Sequence, residues 1–446
     1  MADLRADLVK IYQTALAAAD PYTSVLDKVA VREDILHVGG QSYSLNRYRR
    51  VHLLGAGKAS AAMARAVVDL LGRRLEGGVV VVRDLPEETV PGLKIFQAGH
   101  PEPDQRGLEA SRQWIQYLAD KLCAEDLLLV LLSGGASALL PAPVDPVSLA
   151  DKQETTRTLL TCGATIQEIN IIRKHLSRLK GGRLLEHTRG ATVVTLLVSD
   201  VVGDDPSTIG SGLTSPDPST FADCLEVIGR YQITSRIPEK VLDYLQTGAR
   251  SGEALETLKE TSLRSRRVQN CLVSSNRESL KAGAAEAAAV GYQPLILSSS
   301  MQGNASDLAR FYVAMVTEIL ATGHPLAAPC CLLSGGEATV RVTGPGKGGR
   351  NQEFALWCLH ETASWENQAV LFASVASDGS DGPTNAAGAL VSPATRARAR
   401  ELRLNSREYL QRNDSYHFFQ QLDDLIITGP TGTNVMDFHF ALVGNS

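Results

Sequence analysis

Val51-His-Leu-Leu-Gly-Ala-Gly-Lys-Ala-Ser60 is the stretch on which the fold of this chain turns. Residues 51–54 form an apolar run of strand length, Gly55 and Gly57 loosen the turn, and residues 59–71 follow with a helical pattern before the next apolar run at 79–82. Strand, glycine turn, helix and strand in succession are the unit from which helix-covered parallel sheets are built. Working outward, the alternation continues through 94–97, a helix over 107–122, and strands at 127–132 and 192–198. It predicts a doubly wound, mostly parallel sheet. Upstream, residues 4–19 read as an amphipathic helix, and 35–38 with 42–45 flank Gly39-Gly40 as a hairpin.

Residues 215–267 interrupt the pattern. They are mostly polar and helical, with breaks at Pro216, Pro218, Pro238 and Gly248, so a domain junction is expected near their end. Beyond it come strands at 271–273, 295–298 and 330–333, separated by helices over 277–290 and 305–321. A more mixed series follows at 339–342, 370–373, 389–391, 425–428 and 438–443. The expected fold class is therefore α/β: two α/β domains, 1–265 and 266–446, the first a doubly wound sheet and the second a mixed sheet. Leu131-Leu-Ser-Gly-Gly-Ala-Ser137 is echoed by Leu332-Leu-Ser-Gly-Gly-Glu-Ala338, and Ser199-Asp-Val-Val-Gly-Asp-Asp-Pro206 by Ser377-Asp-Gly-Ser-Asp-Gly-Pro383. Each would lie at the carboxyl end of a strand, where open α/β sheets hold ligands. An active site in a cleft between two facing domains is expected.

The chain has 446 residues, 44% hydrophobic and 21% charged, which suits a globular protein of two or three domains. A formal net charge of −5 argues against nucleic acid as the main partner. The N-terminus carries Asp3, Arg5 and Asp7 and reads as neither signal peptide nor anchor. Apolar runs such as 127–132 fall far short of the roughly 20 residues of a membrane helix. A cytoplasmic protein without a membrane partner is expected. Seven cysteines without a Cys-x-x-Cys pair suggest neither a zinc site nor a disulfide framework.

Several loops suit anions. Lys58 sits in the first helical turn after Gly55-Ala-Gly57, a position for phosphate, although a solvated helix-start lysine reads the same way. Ser133-Gly134-Gly135 ends the most apolar strand of the first half with residues small enough for a ligand to approach; a tight strand-to-helix turn needs the same residues. The segment Ile169-Asn-Ile-Ile-Arg-Lys-His-Leu-Ser-Arg-Leu-Lys-Gly-Gly-Arg183 gathers Arg173, Lys174, His175, Arg178 and Lys180, and suits a charged substrate or a basic solvated helix face. Between Gly344 and Arg350 lie four glycines and Lys347, leading into a helix over 352–359: a polyanion cradle or a flexible hairpin. Asp200, Asp204 and Asp205 in one loop and Asp378 and Asp381 in another offer carboxylates for Mg²⁺ or for a hydroxyl proton. Thr431 and Thr433 add hydroxyls near the end of the chain. Taken together, these features read as phosphoryl transfer.

With Gly99-His-Pro-Glu-Pro-Asp104, Glu168-Ile-Asn-Ile-Ile-Arg-Lys-His175 and Gly348-Gly-Arg-Asn-Gln-Glu353, these motifs in this order resemble the class II glycerate 2-kinases, the family with a MOFRL C-terminal domain. The resemblance covers nearly the whole chain. It implies a Rossmann-like N-terminal kinase domain, a MOFRL region at about 328–443, and transfer of the γ-phosphoryl group of ATP, with Mg²⁺, to the 2-hydroxyl of D-glycerate to give 2-phosphoglycerate and ADP. By position, the family's essential lysine falls on Lys58, its essential arginine on Arg350 and its acidic motif on Asp378. The expected nucleotide and phosphate contacts are Gly55, Gly57, Ser133, Gly134, Gly135, Gly346, Lys347, Gly348, Gly349, Asn351, Thr431 and Thr433. Ser137, Arg173, Lys174 and Glu337 are expected at the substrate, Asp200, Asp204 and Asp381 at the metal, and Asp378 as base. A homodimer is compatible with the sequence. The chain departs from the family at Gly210-Ser-Gly-Leu-Thr214, Glu102 and Asn385, and Asn385 cannot be a base. Some family members have carried a hydroxypyruvate reductase label, against which the lack of a dinucleotide fingerprint argues here. A non-catalytic module binding sugar phosphates is the other alternative.

Overall fold

The computed structural model describes residues 3–252, 255–365 and 368–445. The chain divides into two compact units, one of Pro21–Ser199 with Asp204–Val273, the other of the N-terminal segment to Asp20, Asp200–Gly203 and Ser274 onward.

In the first unit, β1 (Val29–Arg32), β2 (Ile35–Val38) and β3 (Gln41–Ser44) form a small antiparallel sheet. The main sheet holds β4 (Val51–Ala56), β5 (Leu75–Val82), β6 (Leu93–Gln97), β7 (Leu127–Leu132), β8 (Thr192–Val198) and β9 (Val268–Ser274), in the order β6-β5-β4-β7-β8-β9. The pairs linking β6 through β8 are all parallel. Strands β4, β7 and β8 are buried at every position, which is why they read as unbroken apolar runs instead of alternating ones. The chain winds outward from β4 to β6 and then returns to place β7 on the other side of β4. The adjacent carboxyl ends of β4 and β7 are therefore a topological switch point. The polar helical stretch after residue 215 folds onto a separate small core, in which Ile169 and Ile172 meet Phe221, Cys224, Val241 and Leu245.

The second unit has one six-stranded mixed sheet: β10 (Gln293–Asn304), β11 (Cys330–Thr339), β12 (Val370–Ala376), β13 (Gly388–Val391), β14 (Leu425–Ile426) and β15 (Asp437–Val443), in the order β10-β11-β15-β12-β13-β14. Only β10 and β11 are parallel. Because β15 runs antiparallel between β11 and β12, its first residue, Asp437, is paired with Gly336 and Ala376 and lies at their carboxyl ends. Residues 340–342, expected in a strand, lie beyond the end of β11.

The expected boundary at 265/266 and the observed units differ over residues 266–273, where the expected strand of the second domain instead joins the first sheet as β9, over Asp200–Gly203, and over the first helix, Leu4–Ala17. It buries Leu8, Ile11 and Ala15, its Asp7 accepts a hydrogen bond from the Tyr292 hydroxyl, and Arg5 pairs with Asp424, all within the second unit. An amphipathic pattern fixes which face is buried, not against which neighbour. Among the described residues, no helix is long and apolar enough to cross a membrane.

Candidate active site

At the switch point of the first unit, the two glycine turns interlock. Gly57 has φ +133°, and a Cβ there would collide with the Oγ and carbonyl of Ser133. Ser133 Oγ accepts the N–H of Ala59, the residue ahead of the helix Ser60–Leu71, at 3.0 Å, and Lys58 N–H donates to the Gly134 carbonyl at 2.9 Å. Gly55 lies within β4 against Val80. Gly135, with φ +87°, approaches both the His100 ring and the Lys58 side chain. Burial, then the charges of Lys58 and Arg83, hold His100 at about 4, so it is neutral at physiological pH. The half-buried Lys58 is thus placed beside the Ser133–Gly135 turn and a neutral His100, a neighbour that residue-type reasoning did not single out.

The basic segment separates into different roles. Asn170 and Arg173 are one turn apart on the helix Ile166–His175, whose start is fixed by a Thr165–Glu168 capping box. Ser211 Oγ donates to Asn170 Oδ1 at 3.4 Å and lies 2.9 Å from Ser137 Oγ, so Ser137, Ser211 and Asn170 form a polar line. Lys174, expected at the substrate, is instead 3.2 Å from the buried carboxylate of Asp217. Burial raises the Asp217 carboxyl, but Lys174 and Ser219 outweigh it and hold it below the usual value. After β8, Asp205 is consumed by a turn, accepting from Ser207 N–H at 2.8 Å and Ser207 Oγ at 2.7 Å. Asp204 has φ +57°, and its buried Oδ1 has no hydrogen-bond partner among the described residues. Asp200 precedes it in the same loop.

In the second unit, Arg350 opens the helix Arg350–Glu361. Its Nε and Nη2 donate to the two oxygens of Asp437, and its Nη1 donates to Glu337 at 2.8 Å. Asp437 is fully buried. Burial pushes its carboxyl up to about 6 against the pull of Arg350 and Asn351. Burial also opposes the Arg350 charge, but Asp437 and then Glu337 more than offset this, and the guanidinium is held above its usual value. Asp437 was not anticipated. Its signal was a carboxylate and a histidine alternating with phenylalanines in Asp437-Phe-His-Phe440, two polar groups on one face of a buried strand.

Several of the expected contact residues are engaged with other parts of the chain. Asp381 is 2% exposed, and its carboxylate accepts from Asn351 N–H at 3.1 Å, Gln352 N–H at 2.9 Å and both side-chain amides. It caps the helix and has no open oxygen face for a metal. Asn351 is fully buried between Asp381 and Asp437. The Gly344–Gly349 loop is not an open cradle: Gly344 N–H donates to Asn413, Gly346 N–H to the Arg412 carbonyl, and Lys347 N–H to Asp414. A Cβ at Gly344 or Gly346 would strike the Arg412 backbone, at Gly348 the Ser415 hydroxyl, and at Gly349 the Asp381 carboxylate. These glycines permit close packing against the chain itself. Lys347 Nζ lies 4.5 Å above the Tyr416 ring, whose hydroxyl donates to Asn385. Thr433 Oγ1 donates to the Ala19 carbonyl and Thr431 Oγ1 to the Ser377 carbonyl, so both hydroxyls tie down backbone. Asp378 is half-buried and accepts the Ser380 N–H at 3.0 Å. Among the described residues, no group of three or more His, Cys, Asp or Glu converges as for a metal.

Residues 7–246 match a family described as a domain of unknown function, DUF4147, and residues 330–437 match the MOFRL family. A glycerate 2-kinase from Pyrococcus horikoshii is 38% identical over 99% of this chain and 98% of its own length. A D-glycerate 2-kinase from Thermotoga maritima is 37% identical, covering 88% of this chain and 91% of its own. The crystal structure of glycerate kinase from Thermotoga maritima superposes with a TM-score of 0.86 at 35% identity, over 99% of both chains.

Proposed function

The chain belongs to the glycerate kinase family, with the DUF4147 and MOFRL regions in order, and from that membership we propose that it phosphorylates D-glycerate at the 2-hydroxyl, using ATP and Mg²⁺ and releasing 2-phosphoglycerate and ADP. The observation that carries this reading is the Lys58 cation on the switch point, beside a neutral His100 and the Ser133–Gly135 turn, a position at the carboxyl ends of β4 and β7 that suits phosphate.

Lys58 and Arg350 neutralise charge on the transferring phosphoryl group. Arg350 enters that role already oriented, because its fork is fixed by Asp437 and its third nitrogen by the more exposed Glu337. Asp378 accepts the proton of the attacking hydroxyl. The Ser133–Gly135 turn with Gly57, and Lys347 with the N–H groups of Gly348 and Gly349, contact the nucleotide phosphates. Ser137, Arg173 and Glu337 contact the hydroxy acid.

Asp200 and Asp204 would hold the metal. The donor set fits Mg²⁺, which takes one or two carboxylates together with substrate phosphates and water, and the buried, unpartnered Oδ1 of Asp204 supplies such a ligand atom. When bound, Mg²⁺ would supply positive charge against that developing on the transferring phosphoryl group.

Phosphorus NMR of the product tests the reading directly. A phosphate on the 2-oxygen couples to one carbon-bound proton and gives a doublet, while one on the 3-oxygen couples to two and gives a triplet. A doublet with stoichiometric ADP is expected from D-glycerate and MgATP. A triplet, or no ADP release, overturns the assignment.

A further inference from the structure

Three cations gather in the first unit without a counter-charge. Lys152 Nζ donates to the Pro141 carbonyl at 2.5 Å, and Lys180 Nζ donates to the Leu140 carbonyl, two consecutive acceptors just after the short helix Ala136–Leu139 that carries Ser137. Lys152 is 6% exposed and Lys180 1%. An ammonium has three donors, and one neutral carbonyl leaves its charge uncompensated in a poorly solvated place. The third cation, Arg173, has no charge partner among the described residues to set against its burial. Its neighbour on the same helix, Lys174, shows the contrast, being matched to Asp217.

The missing charge shows in the electrostatics. Burial, then Lys180 and Arg173, hold the Lys152 ammonium far below the usual lysine value. Burial and Arg173 bring Lys180 to about 7. No carboxylate contributes to either shift. Beside the cations runs the polar line Ser137, Ser211 and Asn170, and Asn170 shares the Arg173 face of the helix one turn earlier. A negative group flanked by a hydroxyl complements this arrangement.

We propose that Arg173, with Lys180 and Lys152 buried beside it, is the subsite that takes the carboxylate of the hydroxy acid, with Ser137, Ser211 and Asn170 beside the adjacent hydroxyls. This rests on the reading of the protein as a glycerate kinase and adds which group is recognised, and by what. Arginine's planar fork matches a carboxylate at two points, and a carboxylate bound there supplies the counter-charge that Lys180 and Lys152 lack, without either lysine having to touch it. Lys174 plays no part in it.

The test compares wild type with Arg173→Gln, which keeps the helix, and Arg173→Lys. Arg173→Gln should raise KM for D-glycerate about 100-fold, with KM for ATP within about twofold, and Arg173→Lys should recover part of the loss. Wild type should prefer D-glycerate over its neutral amide, glyceramide, by about 100-fold or more, and Arg173→Gln should lose that preference. An unchanged KM for D-glycerate, a raised KM for ATP, or wild-type turnover of glyceramide equal to that of glycerate overturns the subsite. If Arg173→Gln does not fold, the wild-type glyceramide comparison decides. If wild type forms no phosphoglycerate, the kinase reading fails, and calorimetric titration with D-glycerate decides the subsite separately. Heat lost in Arg173→Gln supports it; equal binding in both proteins, or none in wild type, refutes it.

Discussion

Arg350 and Asp437 meet at two points, Nε to Oδ2 at 2.5 Å and Nη2 to Oδ1 at 3.1 Å, although 87 residues separate them in the chain. The carboxylate starts the central strand of the mixed sheet, and the guanidinium starts a helix, so a rigid element stands behind each partner. Asp437 is therefore a positioning residue for Arg350. Asp437→Asn keeps the shape and removes the charge that holds the fork. Its kcat should fall about 10- to 100-fold, with KM for D-glycerate changed far less, as when an interaction made mainly in the transition state is lost.

The same pair sets a pH limb. The ionised form of Asp437 is the one that orients Arg350, and burial places its carboxyl at about 6. As pH falls through about 6 the carboxyl takes up a proton and the anchor is lost, so kcat should decline with a slope of one proton and be level above about 7. Asp437→Asn should lack this limb at its lower level of activity. A limb that survives unchanged in the variant belongs to another group.

Lys58 and Arg350 carry the charge stabilisation proposed here, and each should be worth several kcal/mol in the transition state. Lys58→Ala and Arg350→Ala, confirmed as folded by circular dichroism, should each reduce kcat by about 100-fold or more. Near-normal turnover in either folded variant refutes its role.

What the sequence disclosed follows from how local each signal is. Residues 51–54 and 127–132 could be read because strands buried on both faces need apolar side chains at every position, and the glycines after them marked the strand ends. Lys58 was legible because the strand and glycines just before it mark a turn in the local sequence, whereas its contacts with Gly134 and His100 come from distant parts of the chain. Strand β10 was expected over 295–298 alone, because its polar second half is held by pairing with β11 through register shifts that no local pattern encodes. Asp437 acquires its meaning from Arg350, which only the sheet order brings near. The Gly344–Gly349 loop misled for a different reason: glycine permits close approach equally to a phosphate or to another backbone, and here the Arg412–Ser415 segment is what approaches.

Asp381 separates helix capping from metal binding experimentally. Asp381→Asn replaces one of two accepting oxygens with a donor facing the N–H groups of Asn351 and Gln352, and should cost about 1–3 kcal/mol of stability in urea unfolding. The Mg²⁺ concentration for half-maximal activity should stay as in wild type. Asp204→Asn should instead raise that concentration about tenfold or more, since it neutralises the proposed ligand. If the Asp381 variant shifts the Mg²⁺ dependence as far, its carboxylate is part of the metal site.

Gly57 ties the switch point together through its backbone. Its φ of +133° is poorly accessible to residues with a Cβ, and the position a Cβ would take is filled by Ser133. Gly57→Ala has to displace the Ser133 turn, which holds the Ala59 N–H ahead of the helix Ser60–Leu71. A loss of stability of about 1–3 kcal/mol is expected in urea unfolding, together with a fall in kcat because Lys58 N–H is held by the Gly134 carbonyl in the displaced turn. Gly92→Ala supplies the contrast: it too has positive φ, at +76°, but a Cβ there meets nothing within 4 Å. It should lose some stability to backbone strain alone and leave kcat unchanged. Equal effects of the two variants on kcat show that the Ser133 contact does not position Lys58.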